Sequence, residues 1–380
     1  MQGSAQPAHG IQLVCPAGLV SGKEIVSLVL ASGLRERGFD IRFMISVWGD
    51  GEFPRQLDAA GFAYERIPLG FISLSLRREI VRMTRGQLQR WPELARNYRR
   101  ILHETRPRAV IHTNWHHALL LLPWLKPKQD IYWAHDLVPE TQRYKWIFRA
   151  LAARIGRVVC VSHAVERNLL ALGVSPSRLV VVHNGVSIAG TPSRRMASSP
   201  LRVAIIGQIA EWKGHDDLFE AVSLLARQGV SIELSIFGSG ASDYVRKLRA
   251  QAQKFGIEGA VHWRGFVTDR SIIYSQIDVC VVPSRSEDPL PTVAIEAASF
   301  GCPVVCSGLG GLAEIVEDGE TGFIVEPMQP SQIAEALAKF SEKPSLLQTM
   351  GEAARRRAHA EFSQAAFVDR FVHVLQRLGA

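Results

Sequence analysis

The stretch Pro283–Gly301, PSRSEDPLPTVAIEAASFG, reads as the end of a strand, a turn carrying two acids, a proline and then an apolar helix. A strand whose carboxyl end opens through a short loop into a helix is the unit from which parallel sheets are built. Pro291 is predicted at the first helical position, where its missing N–H costs nothing. The N–H groups of Thr292 and Val293 would then face any anion held above the helix start. Asp288 in the turn and Glu296 in the helix, eight positions apart, flank that place. An anion cradle between two carboxylates suits a ligand that is part phosphate and part polyhydroxyl, such as a nucleotide sugar.

The same alternation runs outward in both directions. Strands are predicted at Ile11–Cys15, Ile41–Ser46, Ala109–His112, Ile131–Trp133, Val158–Val161 and Leu179–Val182. A second series comprises Val203–Gly207, Ile232–Phe237, Val279–Val282, Pro303–Cys306 and Phe323–Val325. Amphipathic stretches such as Lys23–Arg37, Asp216–Gln228 and Ser331–Glu342 lie between them. Ala189–Pro200 (AGTPSRRMASSP) has no apolar periodicity and reads as an exposed linker. A chain of 380 residues exceeds what one core usually supports. The expected plan is an N-terminal domain over 1–190, a linker over 191–200 and a C-terminal domain over 201–362. A last helix over 363–380 is expected to pack back toward the first domain. Each domain is expected to be an α/β, Rossmann-like, doubly wound parallel sheet, the two facing across a cleft. Ligands bind such sheets beyond the carboxyl ends of the strands.

Composition narrows the class. Hydrophobic residues make up 47% and charged residues 21%, the balance of a globular protein. No apolar run approaches the ~18–20 residues of a membrane span. MQGSAQPAHG has neither a basic start nor an apolar segment, so no signal peptide is expected and cytoplasmic residence follows. Cys15, Cys160, Cys280, Cys302 and Cys306 sit mostly in strand-like runs without metal-type spacing, which predicts buried reduced thiols. The charge of +8 is concentrated: residues 77–108 hold ten arginines against three glutamates. That segment reads either as a solvated helix face or as a peripheral contact, from Arg77 to Arg108, with an anionic membrane leaflet or a phosphate-bearing acceptor. Its arginines are not interleaved with aromatics, so no nucleic acid is expected.

Glycine-bearing turns follow several strands. PAGLVSGKE resembles a P-loop only superficially. Gly18 and Gly22 enclose three residues rather than four, and Glu24 follows Lys23. Either close ligand approach or a structural need accounts for those glycines. GQIAEWKG places Lys213 beside a helix start, where an ammonium can meet phosphate. Phe237-Gly238-Ser239-Gly240 lacks the third glycine of a dinucleotide fingerprint, because position 243 is Asp243. His135, after a short strand, is either a ligand contact or a satisfied structural histidine. No Asp-x-Asp element occurs, so a bridging metal has no evident anchor and none is expected.

Taken together, GQIAEWKG, FGSG, PSRSEDPLPTVAIEAASFGCPVV and GLGGLAEIVEDGETGF resemble the retaining glycosyltransferases of family 4, which adopt the GT-B fold. HNGV at 183–186 and VSHAV at 161–165 add weaker matches. The likeness runs roughly from the Gly18 loop to Gly322. It implies that Lys213 holds the donor diphosphate, that Glu296 bonds the ribose hydroxyls and that Asp288 holds donor-sugar hydroxyls. Thr292 and Val293 would bind phosphate through their amides, and His135 would touch the transferring sugar. Gly18 and Gly22 would lie against the sugar phosphate, with Gly238, Phe266 and Leu290 as further donor contacts. Two positions depart from the family pattern. Gln208 stands where arginine is usual, and Asp288 stands where glutamate is usual, with Glu287 as its alternative.

The resemblance implies metal-independent, retaining transfer of a sugar from a nucleoside-diphosphate sugar, without a cofactor, to a glycan or lipid-linked acceptor. A sugar-nucleotide epimerase or phosphorylase on the same scaffold, or a non-catalytic nucleotide-sugar-binding subunit, stays open at this point.

Overall fold

The structure is a computed structural model that describes residues 10–16, 20, 22–70, 72, 78–188 and 199–378. Gly18, Arg77 and most of the expected linker (189–198) lie outside the described residues.

The first half opens with β1 (Ile11–Cys15), α1 (Gly22–Glu36), β2 (Ile41–Ser46), α2 (Glu52–Ala59) and β3 (Ala63–Ile67). Two helices, α3 (Arg78–Gln89) and α4 (Trp91–Thr105), lead to β4 (Ala109–His112). There follow α5 (Trp115–Leu120), β5 (Asp130–Ala134), α6 (Gln142–Arg154), β6 (Arg157–Cys160), α7 (His163–Ala171) and β7 (Leu179–Val181). The second half runs β8 (Leu201–Ile206), α8 (His215–Arg227), β9 (Ile232–Phe237), α9 (Ser242–Phe255) and β10 (Val261–Gly265). It continues through α10 (Arg270–Ser275), β11 (Val279–Val282), α11 (Thr292–Ser299), β12 (Val304–Ser307), α12 (Leu312–Ile315) and β13 (Gly322–Val325). Helices α13 (Pro330–Glu342), α14 (Ser345–Glu361) and α15 (Gln364–Gln376) close the chain.

Every strand pairing is parallel. One sheet has the order β3-β2-β1-β4-β5-β6-β7 and the other β10-β9-β8-β11-β12-β13. Both reverse direction beside their first strand, between β1 and β4 and between β8 and β11. That is the topological switch of a doubly wound fold, where ligand crevices form. The central strands are apolar on both faces because helices cover both, as β1 and β11 illustrate: all their residues are buried. All five cysteines are buried and free.

The chain divides into two compact units, one reaching Gly185 and resuming at Gln364, the other spanning Val186–Ser363. Helix α15 therefore belongs to the first unit, where it packs on α1. Gly33 of α1 makes this approach possible, since a Cβ there would lie 2.4 Å from Val368. Trp133 on β5 packs with Phe367 and Phe371 of the same helix, at ring separations of 5.7 and 5.3 Å. The core of the second unit joins β8, β9 and β11 to α8 and α13 through Val203, Leu234, Val281, Leu218 and Leu337.

One detail of the deciding stretch is corrected. Helix α11 begins at Thr292, and Pro291 is its N-cap in extended conformation rather than its first helical residue. Thr292 and Val293 are thereby the first two helical residues, whose N–H groups have no carbonyl four residues back to bond.

Candidate functional site

In the second unit, the loops after β8, β9, β10, β11 and β12 leave the sheet at its carboxyl edge, beside the switch between β8 and β11. The chain leaves β8 through Gly207 and Gln208, the latter exposed, and reaches a single turn at Glu211–Lys213. Three contacts fix this turn. Gly214 adopts φ 73°, and a Cβ there would lie 1.9 Å from the Pro283 carbonyl oxygen, so only glycine fits. The Arg285 N–H donates to the Trp212 carbonyl at 2.8 Å. The Arg285 guanidinium donates to Asp217 through Nε and Nη2, both at 2.7 Å, and to Asp216 at 3.2 Å. This bidentate clamp ties the start of α8 to the loop after β11.

Lys213 lies above the ring of Trp212, 4.0 Å from its centroid, and its Nζ donates to Asp288 Oδ2 at 2.7 Å. Both side chains of the pair are about 15% exposed, so water screens them little. Asp288 is itself seated from below. Gly311 N–H donates to its carbonyl at 2.9 Å, and a Cβ on Gly310 would fall 2.3 Å from that oxygen. The GLGG turn after β12 is a platform for the acid turn after β11. Between the two candidate acids, Asp288 carries the lysine contact, while Glu287 is exposed.

Glu296 lies one turn into α11. Its Oε2 pairs with Arg270 Nε at 2.7 Å, and the Tyr274 hydroxyl is 3.5 Å from the same oxygen. That hydroxyl also donates to the Val293 carbonyl at 3.2 Å. Burial pushes the Glu296 carboxyl above its ordinary value, and Arg270 and Tyr274 oppose the rise. Arg270 also donates to the Val267 carbonyl at 3.2 Å. Gly238 lies against Gly207: a Cβ on it would sit 1.7 Å from the Gly207 carbonyl. Phe266 projects into solvent just beyond β10, 73% exposed. The Leu290 side chain is buried, next to Gly311, so it offers a ligand only its main chain.

In the first unit, His135 follows β5 and is buried beside Trp133, at a ring separation of 4.3 Å. Its Nε2 has no hydrogen-bond partner among the described residues. Burial, then the charge of Lys23, hold its pKa well below the usual histidine value. Lys23 opens α1 and pairs with Asp136 at 2.6 Å. Together with Asn114, Trp115, His116 and Tyr144 they line a cavity of about 380 Å³ at the carboxyl ends of β1, β4 and β5. Among the described residues, nothing lies within 4 Å of where a Cβ on Gly22 would stand.

Sequence reasoning missed Arg270, Arg285 and Asp136. An isolated charge in a loop or at a helix start carries no local pattern, and only the fold gives it a partner. The pairing Lys23–Asp136 spans 113 residues.

Comparison with known proteins places this arrangement. The family model for glycosyltransferase family 4 matches residues 20–189, and that for glycosyl transferases group 1 matches residues 193–357. The chain belongs to this family of group 1, family 4 glycosyltransferases. It is 31% identical over 210 residues to a glycogen synthase of Mycobacterium tuberculosis, covering 54% of this chain and 50% of that protein. It is 30% identical over 250 residues to a D-inositol 3-phosphate glycosyltransferase of Corynebacterium aurimucosum, covering 61% and 59%. The chain thus spans about half the length of the curated relatives it matches. The fold is GT-B. A glycosyltransferase from Rickettsia africae superposes with TM-score 0.81 at 19% identity, over 98% of this chain and 99% of that one. Anabaena HepE in complex with UDP-glucose gives 0.78 at 20% identity, over 97% and 100%. Among the described residues no helix is long and apolar enough to cross a membrane.

Proposed function

We propose that the chain transfers a sugar from a nucleoside-diphosphate sugar to an acceptor hydroxyl, with retained anomeric configuration and without a metal. The observation that carries this reading is the Lys213–Asp288 pair, held at the carboxyl edge of the second sheet. Lys213 meets the diphosphate with its remaining N–H donors, Asp288 takes donor-sugar hydroxyls, and the Thr292 and Val293 amides bind phosphate oxygens. Glu296, paired with Arg270, accepts from the ribose hydroxyls.

The bond from the anomeric carbon to the phosphate oxygen breaks as the acceptor oxygen bonds the same face of that carbon. The acceptor's proton passes to the departing phosphate oxygen. Negative charge grows on the diphosphate, where a preorganised ammonium and oriented amides stabilise it most. Asp216 and Asp217, the first acids after Lys213 in sequence, are engaged by Arg285, which is consistent with a site that uses a cation side chain. The acceptor is a glycan or lipid-linked acceptor, a reading that rests on the family alone, and the protein acts in the cytoplasm, a reading that rests on its N-terminal sequence.

UDP-glucose is the first donor to try, since a fold neighbour was captured with it. Incubation with donor and a panel of glycan acceptors, followed by proton NMR of the product's anomeric signal, tests the proposal. Retained stereochemistry and full rate in excess EDTA are expected. An inverted anomer, a manganese requirement, or turnover of donor without any acceptor would each overturn it.

A further inference from the structure

The basic segment is resolved into a surface with two kinds of side chain. Helix α3 buries Gln87 alone among its described residues, through a bond from its amide to the Pro68 carbonyl at 2.7 Å. Val81, Met83 and Leu88 are 47%, 57% and 56% exposed. Val81 and Leu88 are seven residues apart and so lie on one edge of the helix. Arg78 and Arg85, also seven apart, form the adjacent row, with Arg82 beyond it, and all three are exposed. The loop after β2 adds Val47 and Trp48, 39% and 42% exposed. Trp48 and Gln87 both touch Gly70, and Arg90 lies over the Trp48 ring at 5.4 Å. Five of the twelve large apolar side chains exposed among the described residues are therefore on this helix and its neighbouring loop.

A face that merely dissolves in water does not collect apolar side chains beside arginines. We infer that α3 and the Trp48 loop dock on an anionic lipid leaflet. Val81, Leu88 and Trp48 enter the headgroup boundary, while Arg78, Arg82 and Arg85 meet lipid phosphates. An apolar stripe bordered by a basic one is the pattern of a helix lying in the interface plane. Arginine stems extend along the apolar boundary while their guanidinium groups reach the phosphates. The excess charge of residues 77–108 complements a leaflet of acidic lipid. This surface lies in the first unit and the donor loops lie in the second, so either reading can fail without the other.

Sedimentation of the full chain with phosphatidylcholine vesicles, with and without roughly 30 mol% phosphatidylglycerol, tests the inference. Binding to the anionic vesicles, weakened as salt rises from ~0.1 to ~0.5 M, is expected. In R78Q/R82Q/R85Q each lost charge lowers partition roughly fivefold, about a hundredfold in all. V81S/L88S leaves the charge unchanged and lowers partition at least about tenfold. Both variants alter exposed side chains, so melting temperature and UDP-glucose binding should match the parent. Equal binding to uncharged vesicles, full binding by V81S/L88S, or equally tight retention on duplex DNA at the same salt would overturn it.

Discussion

Lys213 and Asp288 meet at 2.7 Å although 75 residues separate them in the chain. One leaves the switch strand β8 and the other its neighbour β11, so the topology of the sheet, not proximity in sequence, makes the pair. Lys213→Ala should lower transfer by about 10²–10³, mostly in kcat, because the charge it opposes develops as the diphosphate departs. Asp288→Asn should instead raise KM for the sugar donor more than it raises Kd for free UDP. Steady-state kinetics with UDP binding measured separately would decide. A Lys213→Ala enzyme of near-normal rate would remove Lys213 from the chemistry.

Gly310 tests whether the platform under Asp288 matters. At φ 58° with a Cβ position 2.3 Å from the Asp288 carbonyl, alanine there must push the acid turn away. Gly310→Ala should therefore reduce transfer tenfold or more while its own side chain touches no substrate. Helix content should be unchanged. If the rate survives intact, Asp288 does not need this seat.

Arg270 should set the acid limb of donor binding. Burial raises the Glu296 pKa, and Arg270 is the largest influence holding it down. In Arg270→Gln burial goes less opposed, so Glu296 takes up its proton at higher pH than in the parent. A protonated carboxyl accepts ribose hydroxyls less well, and donor affinity should begin to fall at a higher pH. The sign for stability is opposite. A carboxyl with a raised folded pKa contributes most below its unfolded value and loses that contribution as pH rises through the folded one. Titration calorimetry of UDP from about pH 5 to 8 is the measurement. Superimposable pH profiles would separate Arg270 from Glu296 function.

The central strands were legible because burial on both faces writes an unbroken apolar run, as in Val279–Val282. The two strands not predicted, β3 (AYERI) and β10 (VHWRG), are both sheet edges. An edge is covered on fewer sides, so its residues stay partly exposed and the run dissolves into mixed polarity. Lys213, Asp288 and Glu296 stood out through their place at strand-to-helix turns. Their partners did not. Arg285 and Arg270 acquire meaning only when the fold sets them against Asp217 and Glu296, and nothing in a loop sequence encodes a contact 68 residues away.

Three buried histidines make acid stability the last test. Burial lowers His117 to about 3 and His215 to about 4, and takes His135 well below the usual 6.5. Lys23 adds to the fall at His135. His116, His112 and Lys23 do so at His117, and Lys213 does so at His215, where a hydrogen bond with the Ala210 backbone and then Asp216 oppose. A depressed histidine is neutral when folded and protonated when unfolded below its unfolded pKa. Its contribution is thus complete above 6.5 and is lost as pH falls toward the folded value. Each such histidine can remove up to about 1.4 kcal/mol per pH unit within that window. Urea midpoints should therefore drop steeply between about pH 6.5 and 5, with protons taken up on unfolding. His215→Asn should flatten part of that slope in the second unit alone, whereas a midpoint unmoved by pH across the window would mean that these imidazoles are solvated in the folded chain.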